Sequence, residues 1–286
     1  MASKKITNTA ETSQRADVLL AAAYPAYSRA ALAKLFSKGA ITQDKKPLKP
    51  GERLQPGEVF KADIAGLEQV AESIDLPVLY EDENIIVIDK PVGVISHARG
   101  RYWDEASVAS FVRDKTSGMD GERAGIVHRL DRATSGVMIC AKNTETLSLL
   151  QKQFSTRKTK KSYYAVVQGT PEPAKAIIDV PLGRNPNKPQ TFRPDPQGKE
   201  SSSTYEVVES NDEHSLLLLT PFTGRTHQLR VHLEYIKHPI IGDELYGDKK
   251  ADRLYLHAYS LEITVPGGER KTFISPVPPE FKKLVS

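Results

Sequence analysis

From Pro77 onward the chain is built from short runs of β-branched and aromatic residues with little helix between them, and this pattern limits the folds open to it. Val78–Tyr80, Ile85–Asp89, Gly136–Ala141, Tyr163–Gln168, Ser203–Val208, Leu216–Thr220 and Tyr255–Val265 read as strands. Two stretches read as helices. Glu145–Phe154 follows Asn143-Thr144 and puts Leu147, Leu150 and Phe154 on one face, and Gln228–Ile236 carries Leu229, Leu233 and Ile236. Strands seldom alternate with helices, so the pattern predicts an α+β fold with a mixed, mainly antiparallel sheet rather than a doubly wound one. Residues 184–199, with Pro186, Pro189, Pro194 and Pro196, read as one long loop.

The segment before this body has a different character. Ala16–Ala23 is rich in alanine and leucine and predicts a helix that ends at Tyr24-Pro25. Ser28 is a good N-cap for a second helix, Arg29–Lys38, which Gly39 stops. Leu32, Leu35 and Phe36 then face inward, leaving Arg29, Lys34 and Lys38 for solvent or phosphate. Short apolar pieces follow at 40–42, 53–54 and 59–64. The expected organisation is a small α/β domain over 14–65, a linker over 66–76 and a body over 77–286.

Charge follows the same division. The chain carries a net +4, which alone discriminates little. Residues 1–65 hold eleven basic and six acidic side chains, so the whole excess lies there and the remainder sums to −1. A basic module suits phosphate binding through counterion release, and it equally suits plain solubility. No apolar run approaches the roughly 18 residues that a membrane span needs, and no apolar segment follows the basic start as a signal peptide would require. A single cysteine, Cys140, excludes an internal disulfide and lies in an apolar strand as inert core. These features predict a cytoplasmic, monomeric protein with no membrane contact.

The densest polar cluster is GIVHRLDRATSG, Gly125–Gly136, set between apolar segments where a loop rises from a sheet. Asp131, between Arg129 and Arg132, should remain ionised, and such a carboxylate can act as nucleophile or general base. It could also brace its loop through a salt bridge. A cationic run, Lys152, Arg157, Lys158, Lys160 and Lys161, contains no acid and suits either phosphate contact or a solvated helix end. The histidines offer no metal pattern. His227 and His232 on one helix would stand about 140° apart around the axis. Trp103, beside Tyr102, could stack on nucleic acid or anchor its own loop.

HRLDRATSG resembles the catalytic signature of the RluA family of RNA pseudouridine synthases. Further segments resemble that family in order: LYEDENIIVIDKPVGVISH, KKSYYAVVQG, TGRTHQLRVHL, HPIIGDELYG, LHAYSLEITVP and SPVPPEF, together spanning residues 79–281. The N-terminal order of two helices, SKGAI and PGERLQPGEVFKADI resembles the S4 RNA-binding domain. One departure is Gln43-Asp44-Lys45-Lys46, where that domain often has Asn-Gly; this puts the hairpin geometry in question.

The first resemblance implies an isomerase that turns uridine into pseudouridine with no cofactor and no metal. It implies Asp131 as the catalytic aspartate, Tyr163 as the active-site tyrosine and Arg230 as the active-site cation. Arg129 would help displace RNA when the target base flips out. Arg132, Lys158, Lys160 and Lys161, with Arg29, Lys34 and Lys38 of the S4-like segment, are the remaining candidates for RNA contact. A folded substrate such as large-subunit ribosomal RNA is expected. The alternatives are a tRNA-directed enzyme and a non-catalytic RNA-binding or ribosome-assembly protein.

Overall fold

The computed structural model describes residues 3–68, 72–98, 105–119, 123, 125–247 and 251–286. The chain divides into two units: one runs to Glu72 with the segment Ala98–Glu105, and the other comprises Ser73–His97 and Ala106–Ser286.

The smaller unit contains β1 (Lys4–Thr7), β2 (Gln14–Arg15), α1 (Ala16–Ala23), α2 (Arg29–Ser37), β3 (Ile41–Gln43), β4 (Lys46–Pro47), β5 (Arg53–Leu54), β6 (Val59–Ala62) and α3 (Ala65–Glu68). Helix α1 stops at Tyr24, whose backbone leaves the helical region ahead of Pro25. Helix α2 starts at Ser28, whose hydroxyl accepts the Ala31 N–H at 3.2 Å. Leu32, Leu35 and Phe36 pack with Leu20, Ile41, Leu54 and Phe60 in one apolar cluster.

Strand β1 pairs with β6, so residues well before 14 belong to this unit. Leu67 is buried in its core, so the start of the expected linker is packed structure. The β3–β4 hairpin pairs Gln43 with Lys46. Its two turn residues, Asp44 and Lys45, both have positive φ, 49° and 67°. This is the type I′ arrangement that Asn-Gly forms, reached here without asparagine or glycine. The hairpin geometry therefore survives the sequence departure.

The larger unit contains β7 (Val78–Glu81), β8 (Ile85–Lys90), α4 (Val108–Arg113), β9 (Ser135–Ala141), α5 (Thr144–Ser155), β10 (Lys160–Gln168), β11 (Lys175–Asp179), β12 (Leu182–Arg184), β13 (Phe192–Pro194), β14 (Ser202–Ser210), β15 (His214–Pro221), α6 (Gln228–Tyr235), β16 (Leu256–Thr264), β17 (Arg270–Ile274) and α7 (Pro279–Lys283). Among the described residues, nine strands form one sheet in the order β11-β14-β15-β10-β16-β9-β8-β7, with β17 paired to β16 off that path. All these pairings are antiparallel except β9 with β16, which join through Ser135↔His257 and Gly136↔Ala258. The mixed, mainly antiparallel α+β fold is thus present.

That parallel junction lies at the centre of the sheet and depends on Gly136. Its φ is +116°, and an added Cβ would overlap the backbone of Ala258. β9 is buried along its whole length, including Cys140, whose thiol pKa burial pushes up to about 12. Helices α4 and α5 contribute to one apolar cluster with β7, β8 and β9, and α6 and α7 contribute to a second with β10, β14 and β15.

The structure adds elements that periodicity did not indicate. β11 is an edge strand whose residues alternate in burial without a continuous apolar run, and Ile177 lies largely exposed. Within the expected long loop 184–199, β13 pairs with β12, tolerating Pro194 at its end. Trp103 and Tyr102 lie outside the described residues.

Candidate active site

The loop before β9 carries Asp131, and its backbone is held from behind by the turn after β8. Ser96 Oγ accepts the Leu130 N–H at 3.0 Å and donates to the Leu130 carbonyl at 2.8 Å. On the other side of Asp131, the Arg132 carbonyl accepts the Gly93 N–H at 2.9 Å and is approached by Lys90 Nζ at 3.4 Å. Lys90 is fully buried and also donates to the Pro91 and Val94 carbonyls, at 2.8 Å each. Burial lowers its pKa to about 7, although the charge of Asp131 pulls the other way. Both neighbours of Asp131 are therefore fixed while its carboxylate points outward.

It points into a cleft of about 680 Å³, within the size range of small-molecule sites. Asp131, Tyr163 and Arg230 all line this cleft, although they come from a loop, a strand and a helix separated by up to 99 positions. Tyr163 sits in β10 at a register shift between Ser162 and Tyr163. Burial raises its phenol pKa above the usual range, and the Asp131 charge adds to the effect, so the hydroxyl stays protonated.

Arg230 is 5% exposed on α6. Its main partner is not Asp131 but Asp243, through Nε–Oδ2 at 2.7 Å and Nη2–Oδ1 at 2.6 Å. The third nitrogen, Nη1, lies 3.8 Å from Asp131 Oδ2. Burial opposes the charge of Arg230, but Asp243 outweighs it and raises the pKa. The Asp243 carboxylate also accepts the Leu245 and Tyr246 N–H groups at 3.0 and 3.2 Å. The Arg230 guanidinium lies over the Tyr246 ring, 5.1 Å from its centroid.

The RNA-contact candidates separate in space. Arg129 lines the cleft, is 58% exposed in its side chain and stands 4.0 Å from Asp131 Oδ1. Lys161 lines it too, and burial lowers its pKa. Arg157 belongs to the same wall. Arg132, Lys158 and Lys160 do not line it. Arg132 donates to the Gly93 carbonyl, the Lys158 carbonyl accepts from Arg270, and Lys160 pairs with Glu262 at 3.4 Å. Adjacent residues on a strand point to opposite faces, which separates Lys160 from Lys161. In the smaller unit, Arg29 pairs with Asp17 at 3.2 Å, while Lys34 and Lys38 lie on α2 and at its C-cap.

Lys90, Asp243 and Tyr246 were not singled out from the sequence, and His227 was weighed there only as a metal ligand. His227 occupies the N-cap of α6 with φ +58°, and its Nε2 lies 3.8 Å from Asp131 Oδ2. Burial lowers its pKa even though Asp131 opposes this. For Asp243 the available signal was the acidic pair Asp243-Glu244 directly after the apolar Ile240-Ile241 and Gly242. His128, next to the loop, stacks on Phe154 at 4.5 Å, and its Nε2 accepts the Ile139 N–H at 3.1 Å. Burial lowers its pKa to about 3, with Lys161 contributing, so it is neutral. No metal-binding group of His, Cys, Asp and Glu occurs among the described residues.

Residues 84–235, just over half of the chain, match the family described as RNA pseudouridylate synthase. A ribosomal large subunit pseudouridine synthase D of Borreliella burgdorferi is 40% identical over 225 residues, covering 75% of this chain and 69% of the relative. The protein of the same name in Pseudomonas aeruginosa is 34% identical, with 96% and 91% of the two chains covered. Among solved structures, human RNA pseudouridylate synthase domain containing 1 superposes with a TM-score of 0.62 at 28% identity, covering 74% of this chain and 88% of that one.

Proposed function

Since the chain belongs to the RNA pseudouridine synthase family, we propose that it isomerises uridines of large-subunit ribosomal RNA in the cytoplasm, as a monomer, with Asp131 as its central catalytic group. The names of the bacterial relatives support the RNA class. The observation that carries the catalytic assignment is the convergence of Asp131, Tyr163 and Arg230 on one cleft.

The reaction breaks the N1–C1′ bond, turns the freed uracil and joins C5 to C1′. Atoms and electrons balance, so the conversion calls for no external oxidant, reductant or group donor. A carboxylate can serve it by attacking C1′ or by taking the C2′ proton, and Asp131 lines the cleft that would receive the flipped nucleoside. Arg230 keeps a positive charge near that carboxylate. The protonated phenol of Tyr163 offers a flat face to the extruded base and a hydroxyl near C5, where a proton finally departs. Flipping costs a few kcal/mol, which stacking and phosphate contacts must offset. Arg129, Arg157 and Lys161 give the wall its positive charge, and Phe222, half exposed at the rim, adds an aromatic surface.

The smaller unit serves as the RNA grip in this reading. Its first two helices, type I′ hairpin and surplus of basic residues support an S4-like role, with Arg29, Lys34 and Lys38 on one helix and its cap.

Asp131→Asn should abolish pseudouridine formation while leaving RNA affinity within a few-fold of the unmodified chain. Mapping pseudouridine across stable RNAs from cells with and without the gene checks the substrate: loss of sites in ribosomal RNA is expected. Loss confined to tRNA would replace the ribosomal assignment, and full activity of the Asn variant would remove Asp131 from the mechanism.

A further inference from the structure

Two side chains approach the same oxygen of Asp131. Arg230 Nη1 and His227 Nε2 each stand 3.8 Å from Oδ2, whereas the exposed Arg129 reaches toward Oδ1 at 4.0 Å. Arg230 has already committed Nε and Nη2 to Asp243, so it offers Asp131 one nitrogen from one direction. A single donor fixes a distance but leaves the carboxylate free to turn about Cβ–Cγ. His227 approaches from the N-cap of the same helix, α6, where its left-handed backbone turns the ring toward the cleft.

The hydrogen-bond chain behind His227 favours one ring nitrogen as the carrier of the proton. The Tyr246 oxygen accepts the Phe192 N–H at 2.8 Å and lies 2.8 Å from His227 Nδ1. The phenol has one proton, and donating it to Nδ1 satisfies both partners. Nδ1 is then an acceptor, so in a neutral imidazole the proton resides on Nε2, the nitrogen facing Asp131.

We propose that His227 is a positioning residue for the isomerisation: its Nε2–H, set by Tyr246, anchors Oδ2 of Asp131 and leaves Oδ1 as the oxygen that meets the ribose. This role rests on the functional reading above. The 3.8 Å separation is longer than a hydrogen bond, so this role requires it to close as substrate seats, as catalytic contacts commonly do. The proton stays on His227 throughout. If Oδ1 attacks C1′, the C1′–O bond forms as N1–C1′ breaks, and the electron pair leaves with the uracil. If Oδ1 takes the C2′ proton, the C2′–H pair forms the C1′=C2′ double bond as N1–C1′ breaks, the N1–C1′ pair leaves with the uracil, and the carboxyl becomes neutral. Either step drains charge from the carboxylate. A second cation on Oδ2 would resist that loss, whereas a neutral donor orients the group and resists it less.

The test uses the full chain and an RNA that it modifies, read by single-turnover tritium release from C5-labelled uridine together with RNA affinity and the urea midpoint. His227→Leu should slow the turnover about 10²-fold, the scale of losing one oriented donor, with unchanged affinity. His227→Gln, whose amide N–H can stand where Nε2–H stood, should recover most of that loss. Tyr246→Phe, which removes the hydroxyl that sets the tautomer, should slow turnover without weakening RNA binding. Nitrogen-15 spectra of the histidines, which require no variant, should show His227 protonated at Nε2 and bare at Nδ1. A Leu variant at the normal rate, a stable Gln variant as slow as Leu, or an Nδ1–H tautomer would each overturn the proposal. An unmodified chain inactive on every RNA would instead overturn the functional reading.

Discussion

Arg230 and Asp243 show at the residue scale how a buried charge is kept usable. The Asp243 carboxylate receives two hydrogen bonds from the guanidinium and two from the Leu245 and Tyr246 backbone, which fills its acceptor capacity. Replacing Asp243 by Ala would strand a buried guanidinium. Breaking one partner of such a pair typically costs about 3–5 kcal/mol, so Asp243→Ala should lower the urea unfolding free energy by that amount and depress turnover. An Ala variant of normal stability would show that solvent reaches Arg230. His128 supports a pH prediction. Its pKa in the fold is about 3, below the ordinary 6.5, so between those values the unfolded chain binds the extra proton. Stability from this group is complete above pH 6.5 and is lost as pH falls toward 3. His128→Gln should therefore make unfolding free energy less steep between about pH 6 and 4, by up to about 1.4 kcal/mol per pH unit. Identical slopes would show that the imidazole is not shielded from the proton.

At the scale of elements, the decisive contact is the two-pair parallel junction of β9 and β16. It brings the Asp131 loop, which feeds β9, to within one strand of Tyr163 on β10, because β16 lies between them. The close approach requires a residue without Cβ at position 136, and the positive φ there would strain any other. Gly136→Ala should destabilise the larger unit by on the order of 3 kcal/mol or more and reduce activity beyond what the drop in stability explains. Chemical denaturation alongside turnover measured well below the unfolding transition would check both parts. The elements themselves were largely readable: the strand and helix expectations in this unit fall on β7–β10, β14–β16, α5 and α6. β11, β12, β13 and β17 were not, because edge strands and short hairpins lack the apolar alternation that marks a half-buried strand. The type I′ turn at Asp44-Lys45 was unreadable for another reason, since its hand is imposed by the paired strands and not by the residues in it.

For the whole molecule the relevant quantity is where charge sits. The surplus of residues 1–65 predicts a salt-dependent contribution to RNA affinity. Replacing Lys34 and Lys38 together by Ala should weaken binding and reduce the slope of log affinity against log salt by about 0.7–0.9 for each phosphate that the pair neutralises. An unchanged slope would remove these lysines from the interface. The run 152–161 behaves differently. Sequence groups its cations together, but the fold sends Lys161 and Arg157 to the cleft and pairs Lys160 with Glu262, so only part of that run contributes to the cleft wall.

The strand-rich α+β class, the basic N-terminal segment and the loop that carries Asp131 are all present in the chain read as a line. They depend on local periodicity, composition and short motifs, which need no partner segment to be visible. Packing in three dimensions was required to make Arg230 answer first to Asp243 and to turn His227 toward Asp131. It also set Tyr246 behind His227 and Lys90 beneath the loop. Those pairings join residues up to 96 positions apart. No pattern within one segment can specify them, because burial and hydrogen-bond satisfaction are properties of segments only after they have met.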